Sequence, residues 1–126
     1  MTRILLIEDD ALVRTTLAEV LAAAGHEVAE ARNGLDGVAE ARRLRPDLVI
    51  VDMIMPEQDG IETLINLRAT QAGMPILAIS GGGRVRNLDF LSLAASLGAT
   101  RTLPKPFTPD ALLAAVNDCL GGVPAA

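Results

Sequence analysis

The chain has 126 residues, half of them hydrophobic, with one cysteine and a formal net charge of −5. That is the length of one ordinary domain, with enough apolar surface to build a core without disulfides or a structural metal. The acidic balance argues against a nucleic-acid surface, which needs clustered Lys and Arg, and no apolar run approaches the roughly 20 residues of a membrane span. Met1-Thr2-Arg3, followed by a short apolar run and then acids, is not a signal peptide, so a soluble cytoplasmic protein is expected. Trp and Tyr are absent and Phe90 and Phe107 are the only aromatics, so aliphatic residues and alanine must fill the interior. Cys119 cannot form an internal disulfide and reads as a small apolar filler on the last helix.

Short apolar runs alternate with amphipathic segments along the chain. Arg3 to Ile7 is a strand that meets the acids Glu8, Asp9 and Asp10. Val13, Leu17, Val20, Leu21 and Ala24 share one face of a helix over 11–24, with Asp10 as its cap, and Gly25 ends it. His26 to Ala31 is a weaker edge strand, with His26 a surface residue. Asn33 caps a helix running to about Arg43, with Val38, Ala41 and Leu44 inward, and Pro46 breaks it. Asp47 to Asp52 contains Leu-Val-Ile-Val, an unalternated run expected of a central parallel strand buried on both faces. Asp59 and Glu62 resemble a helix start with a capping box; Ile61, Leu64 and Ile65 then face inward until Gly73. Pro75 to Ile79 is a fourth strand ending at Ser80, followed by the Gly81-Gly82-Gly83 loop. A helix over 87–97 is stopped by Gly98, and Thr100 to Leu103 is a fifth strand. Thr108 caps the last helix with Pro109 in its first turn, and Leu112, Leu113, Val116 and Leu120 form its stripe.

Five βα units with no repeat and no long linker imply a parallel sheet covered on both sides. The expected fold is a flavodoxin-like, doubly wound (βα)5 three-layer α/β sandwich with strand order 2-1-3-4-5. One domain is expected over residues 1–126, with its core over about 3–120 and a tail at 121–126.

Ligands of an open parallel sheet bind at the carboxyl ends of its strands. Those ends carry Glu8-Asp9-Asp10, Asp52, Ser80 and, through Leu103-Pro104, Lys105. Clustered carboxylates demand a cation, and hard oxygen donors favour Mg²⁺. A carboxylate can also attack phosphorus to give an aspartyl phosphate, with metal and lysine offsetting charge on either side. Asp52 ends a buried strand, where an unpaired carboxylate would be costly.

The strings Ile-Leu-Leu-Ile-Glu-Asp-Asp, Asp-Leu-Val-Ile-Val-Asp-Met-Ile-Met-Pro-Glu-Gln-Asp-Gly and Leu-Pro-Lys-Pro-Phe resemble the motifs of the response-regulator receiver family, over roughly residues 3 to 120. The resemblance implies that Asp52 is the phosphoacceptor and that Ser80 and Lys105 are the switch hydroxyl and the lysine. It implies Mg²⁺ at Asp9 and Asp52, with Glu8 acting through water and the Ile54 carbonyl as third protein ligand. It also implies a cis Lys105-Pro106 bond, and a sensor histidine kinase or histidine phosphotransfer protein as phosphodonor. The protein is then a signalling module rather than an enzyme, assisting its own phosphorylation and slow dephosphorylation. Its output is expected to run through another protein, with no attached DNA-binding domain, no direct nucleic-acid contact and no membrane insertion; a homodimer is left open.

Thr102 departs from the family pattern, which commonly has an aromatic residue three positions before the lysine. A ring moving inward is therefore missing, and the glycine loop is expected to transmit most of the signal. Two competing functions are weaker. A Mg²⁺-dependent phosphohydrolase usually has a second acid two residues after its nucleophile, where this chain has Ile54. A flavin or nucleotide binder would need aromatics to stack on the ligand. The triple glycine lacks the Gly-Lys-Ser/Thr that follows in a nucleotide P-loop.

Overall fold

The structure, a computed structural model, describes residues 2–53, 60–80, 92 and 94–121. Its elements in chain order are β1 (Arg3–Ile7), α1 (Ala11–Ala23), β2 (Glu27–Ala31), α2 (Gly34–Leu44), β3 (Leu48–Asp52), α3 (Gly60–Thr70), β4 (Ile76–Ser80), β5 (Arg101–Pro104) and α4 (Pro109–Cys119). Further helical backbone lies at residues 92 and 94–96, within the helix expected over 87–97. The rest of that helix, the Gly81–Gly83 loop, the Ile54 carbonyl and the Asp59 cap fall outside the described residues.

All five strands pair in parallel in the order β2-β1-β3-β4-β5, the expected doubly wound arrangement. The unalternated runs explain the centre of the sheet: every residue of β3 and β4 is buried. One face, with Leu5, Ile7, Val49 and Val51, packs on Ala41, Leu64 and Leu67 from α2 and α3. The other, with Ile4, Leu6, Ile50 and Leu77, packs on Leu17, Leu21, Leu112 and Val116 from α1 and α4. Side chains of successive strand residues point to opposite faces, so one apolar run serves both cores.

Three caps act as the residue types predict. Asp10 Oδ1 accepts from the Leu12 and Val13 N–H groups at 2.9 and 3.2 Å, Asn33 Oδ1 from Asp36 N–H at 2.8 Å, and Thr108 Oγ1 from Ala111 N–H at 3.0 Å. The Lys105-Pro106 bond is cis, and Gly25 takes a positive φ of 96° just beyond α1.

The second helix ends within one residue of the expected position, and two side chains expected inward need correction. Helix α2 continues to Leu44 and ends on Arg45, in the left-handed region with φ 48°, so it stops one residue before Pro46. A proline disfavours the helical region in the residue before it, which accounts for the shift. Leu44 is only half-buried. Ile65 is 49% exposed, not inward; the buried residues of α3 are Gly60, Thr63, Leu64 and Leu67. Leu64 and Leu67 fill the core further along, but at its first residue the helix enters too close to β3 for any side chain. A Cβ on Gly60 would overlap the Met53 backbone and come within 2.8 Å of the Asp52 carbonyl oxygen.

Candidate functional site at the carboxyl edge of the sheet

Among the described residues, Glu8, Asp52, Ser80 and Lys105 lie at or just past strand ends, and main-chain bonds tie this edge together. Glu8 N–H donates to the Ala31 carbonyl at 3.0 Å, beyond the β1–β2 ladder. Met53 N–H donates to the Ile79 carbonyl at 2.8 Å and so fixes the backbone after Asp52. Lys105 N–H donates to the Ser80 carbonyl at 2.7 Å, which ties the lysine loop to the end of β4. Gly60 N–H donates to the Met53 carbonyl at 3.2 Å, so the start of α3 closes over the phosphoacceptor candidate.

These anchors bring Glu8, Asp52 and Lys105 together. Lys105 Nζ donates to Glu8 Oε1 at 3.0 Å and lies 3.5 Å from Asp52 Oδ2. The two carboxylates are nearly sealed, with side-chain exposures of 1% and 6%, whereas the lysine side chain is 25% exposed. Asp9 is exposed at the rim, and one carboxylate oxygen each from Glu8, Asp9 and Asp52 lie within 4.8 Å of one another. Asp10, expected as a helix cap, has that role, and its N–H donates to Glu8 Oε2 at 3.3 Å.

The electrostatics follow from burial. Desolvation raises the Glu8 carboxyl above its usual range; Asp52 pushes the same way, and Lys105 only partly opposes them. Asp9 is also raised, by desolvation and then by Glu8. Burial works to lower the Lys105 ammonium, but Asp52 and Glu8 together outweigh it and lift the lysine above its ordinary value. One lysine does not offset three carboxylates, and the site has the charge and the hard oxygen donors that suit Mg²⁺.

Ser80 is fully buried at the end of β4, and its Oγ has no hydrogen-bond partner among the described residues. Buried hydroxyls are ordinarily satisfied, so an orphan at this edge fits an oxygen-rich ligand. Thr102 sits half-buried in β5 opposite Ala78. His26, just before β2, is half-buried and remote from the acids in the sheet register. Cys119 is buried in the α4 core with its thiol pushed up to about 11 by burial, consistent with a filler.

Sequence reasoning missed two residues that shape this edge. Gly60 follows the Asp59 helix start and carries no side chain to draw attention, yet that absence lets α3 sit on the Asp52–Met53 backbone. Arg14 lies between the apolar positions 13 and 17 of α1, and its guanidinium Nη1 donates to the Glu8 carbonyl at 2.8 Å. Its available signal was a single long cation within a helix face otherwise apolar.

A doubly wound parallel fold whose carboxyl edge joins buried acids, a lysine and an orphan hydroxyl defines the receiver class of two-component signalling. The chain belongs to the response regulator receiver domain family, whose profile matches residues 4–117. It is 36% identical over 122 residues to the response regulator MprA of Mycobacterium leprae, covering 94% of this chain but 50% of that protein, so it spans about half the length of that relative. It is also 36% identical over 119 residues to the chemotaxis protein CheY of Bacillus subtilis, covering 94% of this chain and 97% of CheY. Among solved structures, the receiver domain protein from Clostridium thermocellum superposes with a TM-score of 0.89 at 28% identity, covering 97% of this chain and 96% of that one.

Proposed function

We propose that this protein is a phosphorylation-controlled receiver whose phosphoacceptor is Asp52, with Ser80 and Lys105 as the residues that contact the phosphoryl group. The observation that carries this reading is the nearly sealed Asp52 carboxylate at the end of the central strand, 3.5 Å from Lys105 Nζ. The donor is a phosphohistidine of a sensor kinase or of a histidine phosphotransfer protein. An Asp52 carboxylate oxygen attacks phosphorus; the new O–P bond forms as the P–N bond breaks, and the departing imidazole takes a proton from solvent. Lys105 offsets charge on the phosphoryl oxygens as a point charge, and the Ser80 hydroxyl donates to one of them. Asp9, Asp52 and the Ile54 carbonyl, with Glu8 through water, would hold Mg²⁺, which would supply positive charge to offset that of the transferring phosphoryl group.

One receiver domain accounts for residues 1–126, and its core over about 3–120 is supported by the family match over 4–117. The modified protein acts in the cytoplasm by binding another protein and loses its phosphoryl group slowly by hydrolysis. Acetyl phosphate with Mg²⁺ should add one phosphoryl group to the wild-type chain, read by intact mass. Asp52→Asn should abolish that addition. Undiminished, acid-stable labelling of the variant would overturn the assignment.

A further inference from the structure

We propose that Arg14 is a positioning residue that fixes the acid turn for metal binding, and that Glu30 on the edge strand holds Arg14 for that task. The proposal rests on the reading that Glu8 and Asp9 belong to a Mg²⁺ site. Arg14 Nη1 donates to the Glu8 main-chain oxygen at 2.8 Å, and Arg14 Nε lies 3.3 Å from Glu30 Oε1. The arginine side chain is only 19% exposed, against 44% for its glutamate partner. A partly buried guanidinium with a carboxylate on one nitrogen and a carbonyl on another has a restricted geometry, because its donors form a rigid fork.

The backbone around Asp9 shows what this contact controls. On one side, both main-chain polar groups of Glu8 are committed: its N–H to Ala31 and its carbonyl to Arg14. On the other side, Asp10 is fixed as the cap of α1. Asp9 is exposed, is in side-chain contact with Glu8, and lies between these two anchors. Release of the Glu8 carbonyl frees the peptide that joins Glu8 to Asp9. That rotation moves one metal-facing carboxylate relative to the other without touching either side chain. Strand β2 thus reaches the site twice, through the Ala31 carbonyl and through the Glu30–Arg14 pair.

Outer contacts that orient metal ligands typically carry a factor of about 10 in metal affinity. The test uses the full chain and Mg²⁺ alone, titrated by calorimetry and by the amide shifts of Asp9 and Asp10, in wild type, Arg14→Met, Arg14→Lys and Glu30→Gln. Arg14→Met should weaken Mg²⁺ binding about 10-fold, with Arg14→Lys and Glu30→Gln showing smaller losses. Labelling by acetyl phosphate should slow in Arg14→Met at low Mg²⁺ and recover to the wild-type rate at saturating Mg²⁺, measured where melting curves show the metal-free variant fully folded, so that lost stability does not account for the rescue. Wild-type Mg²⁺ affinity in Arg14→Met, whatever its melting temperature, overturns the proposal. If that variant does not fold, unchanged affinity in both Arg14→Lys and Glu30→Gln overturns it instead. A wild-type chain that binds no Mg²⁺ at Asp9 removes the underlying reading as well, whereas wild-type binding with indifferent variants removes only the role of Arg14.

Discussion

The two edges of the sheet treat charge in opposite ways. At the amino edge, Arg3 uses its main-chain N–H on Asp47 at 2.9 Å and its guanidinium on the Leu44 carbonyl and on Glu27. Near the same edge, Arg68 donates to three main-chain carbonyls, of Ala72, Met74 and Gly98, at 2.6 to 2.7 Å. Arg68, and one nitrogen of Arg3, thus meet carbonyls that helix ends and turns would otherwise leave bare. At the carboxyl edge, three carboxylates crowd one lysine, two of them with raised pKa, and a buried hydroxyl lacks a partner. The amino edge is not fully satisfied, since Arg3 Nε and His26 Nδ1 are also buried without a hydrogen-bond partner among the described residues, but only the carboxyl edge gathers several carboxylates around one cation. Strain of this kind belongs to functional sites and must be held by the surrounding fold.

That contrast can be broken by substitution. The largest effect is expected at Gly60, where any Cβ meets backbone that cannot move aside. We predict that Gly60→Ala costs about 3 kcal/mol of stability in denaturant titrations; a loss below a quarter of that would show that α3 can lift off β3 freely. Arg68→Met comes next. The loss of charge-assisted bonds to carbonyls should cost about 2 kcal/mol while Mg²⁺ affinity stays at the wild-type value. A parallel fall in affinity would mean that the two edges are not independent.

A smaller effect with opposite sign is expected at Glu8. Its folded-state pKa lies above the ordinary 4.5, so the fold prefers the protonated acid. The metal-free protein should therefore be most favoured by this group below pH 4.5 and should lose that contribution as pH rises through the raised value. Glu8→Gln should stabilise the metal-free protein at pH 7 by about 1 kcal/mol, an advantage that shrinks toward pH 4.5 and that Mg²⁺ reverses. Melting curves at the two pH values decide it, and a less stable variant at pH 7 without metal would contradict the excess of negative charge. The smallest effect is at Cys119. Its thiol, pushed up to about 11, should resist alkylation at pH 7.5 in the folded protein and react only on unfolding; rapid labelling of the native chain would show that α4 opens readily.

Much of the fold was legible because the strongest signals are one-dimensional. The unbroken apolar runs of β3 and β4 have no exposed side to alternate with, and they are the strands buried throughout. The caps at Asp10, Asn33 and Thr108 are local chemistry and needed no tertiary information. The meeting of Glu8, Asp52 and Lys105 followed from the topology, which brings strand ends to one edge. What the sequence concealed depends on distance between elements. Ile65 looked inward because it is large and apolar, yet the buried face of α3 is set by Gly60, Thr63, Leu64 and Leu67, and Ile65 lies off it. Gly37 was silent for the same reason: a Cβ there would run into the Ile7 side chain. Arg14 escaped notice because its main partner is a carbonyl oxygen, which residue identity does not reveal.

The ion pair between Lys105 and Glu8 joins residues 97 positions apart, on strands that are not neighbours in the sheet. The three acids, at positions 8, 9 and 52, therefore all precede the counter-charge at 105 in the chain's linear order. Cut anywhere between Ser80 and Arg101, the protein would separate into a piece with all three carboxylates and a piece with the lysine. The first would keep its crowded acids without the lysine that offsets them, and the second would keep the lysine without those acids. Reunion would be reported by the site itself, which makes this edge a natural sensor of whether two fragments have met.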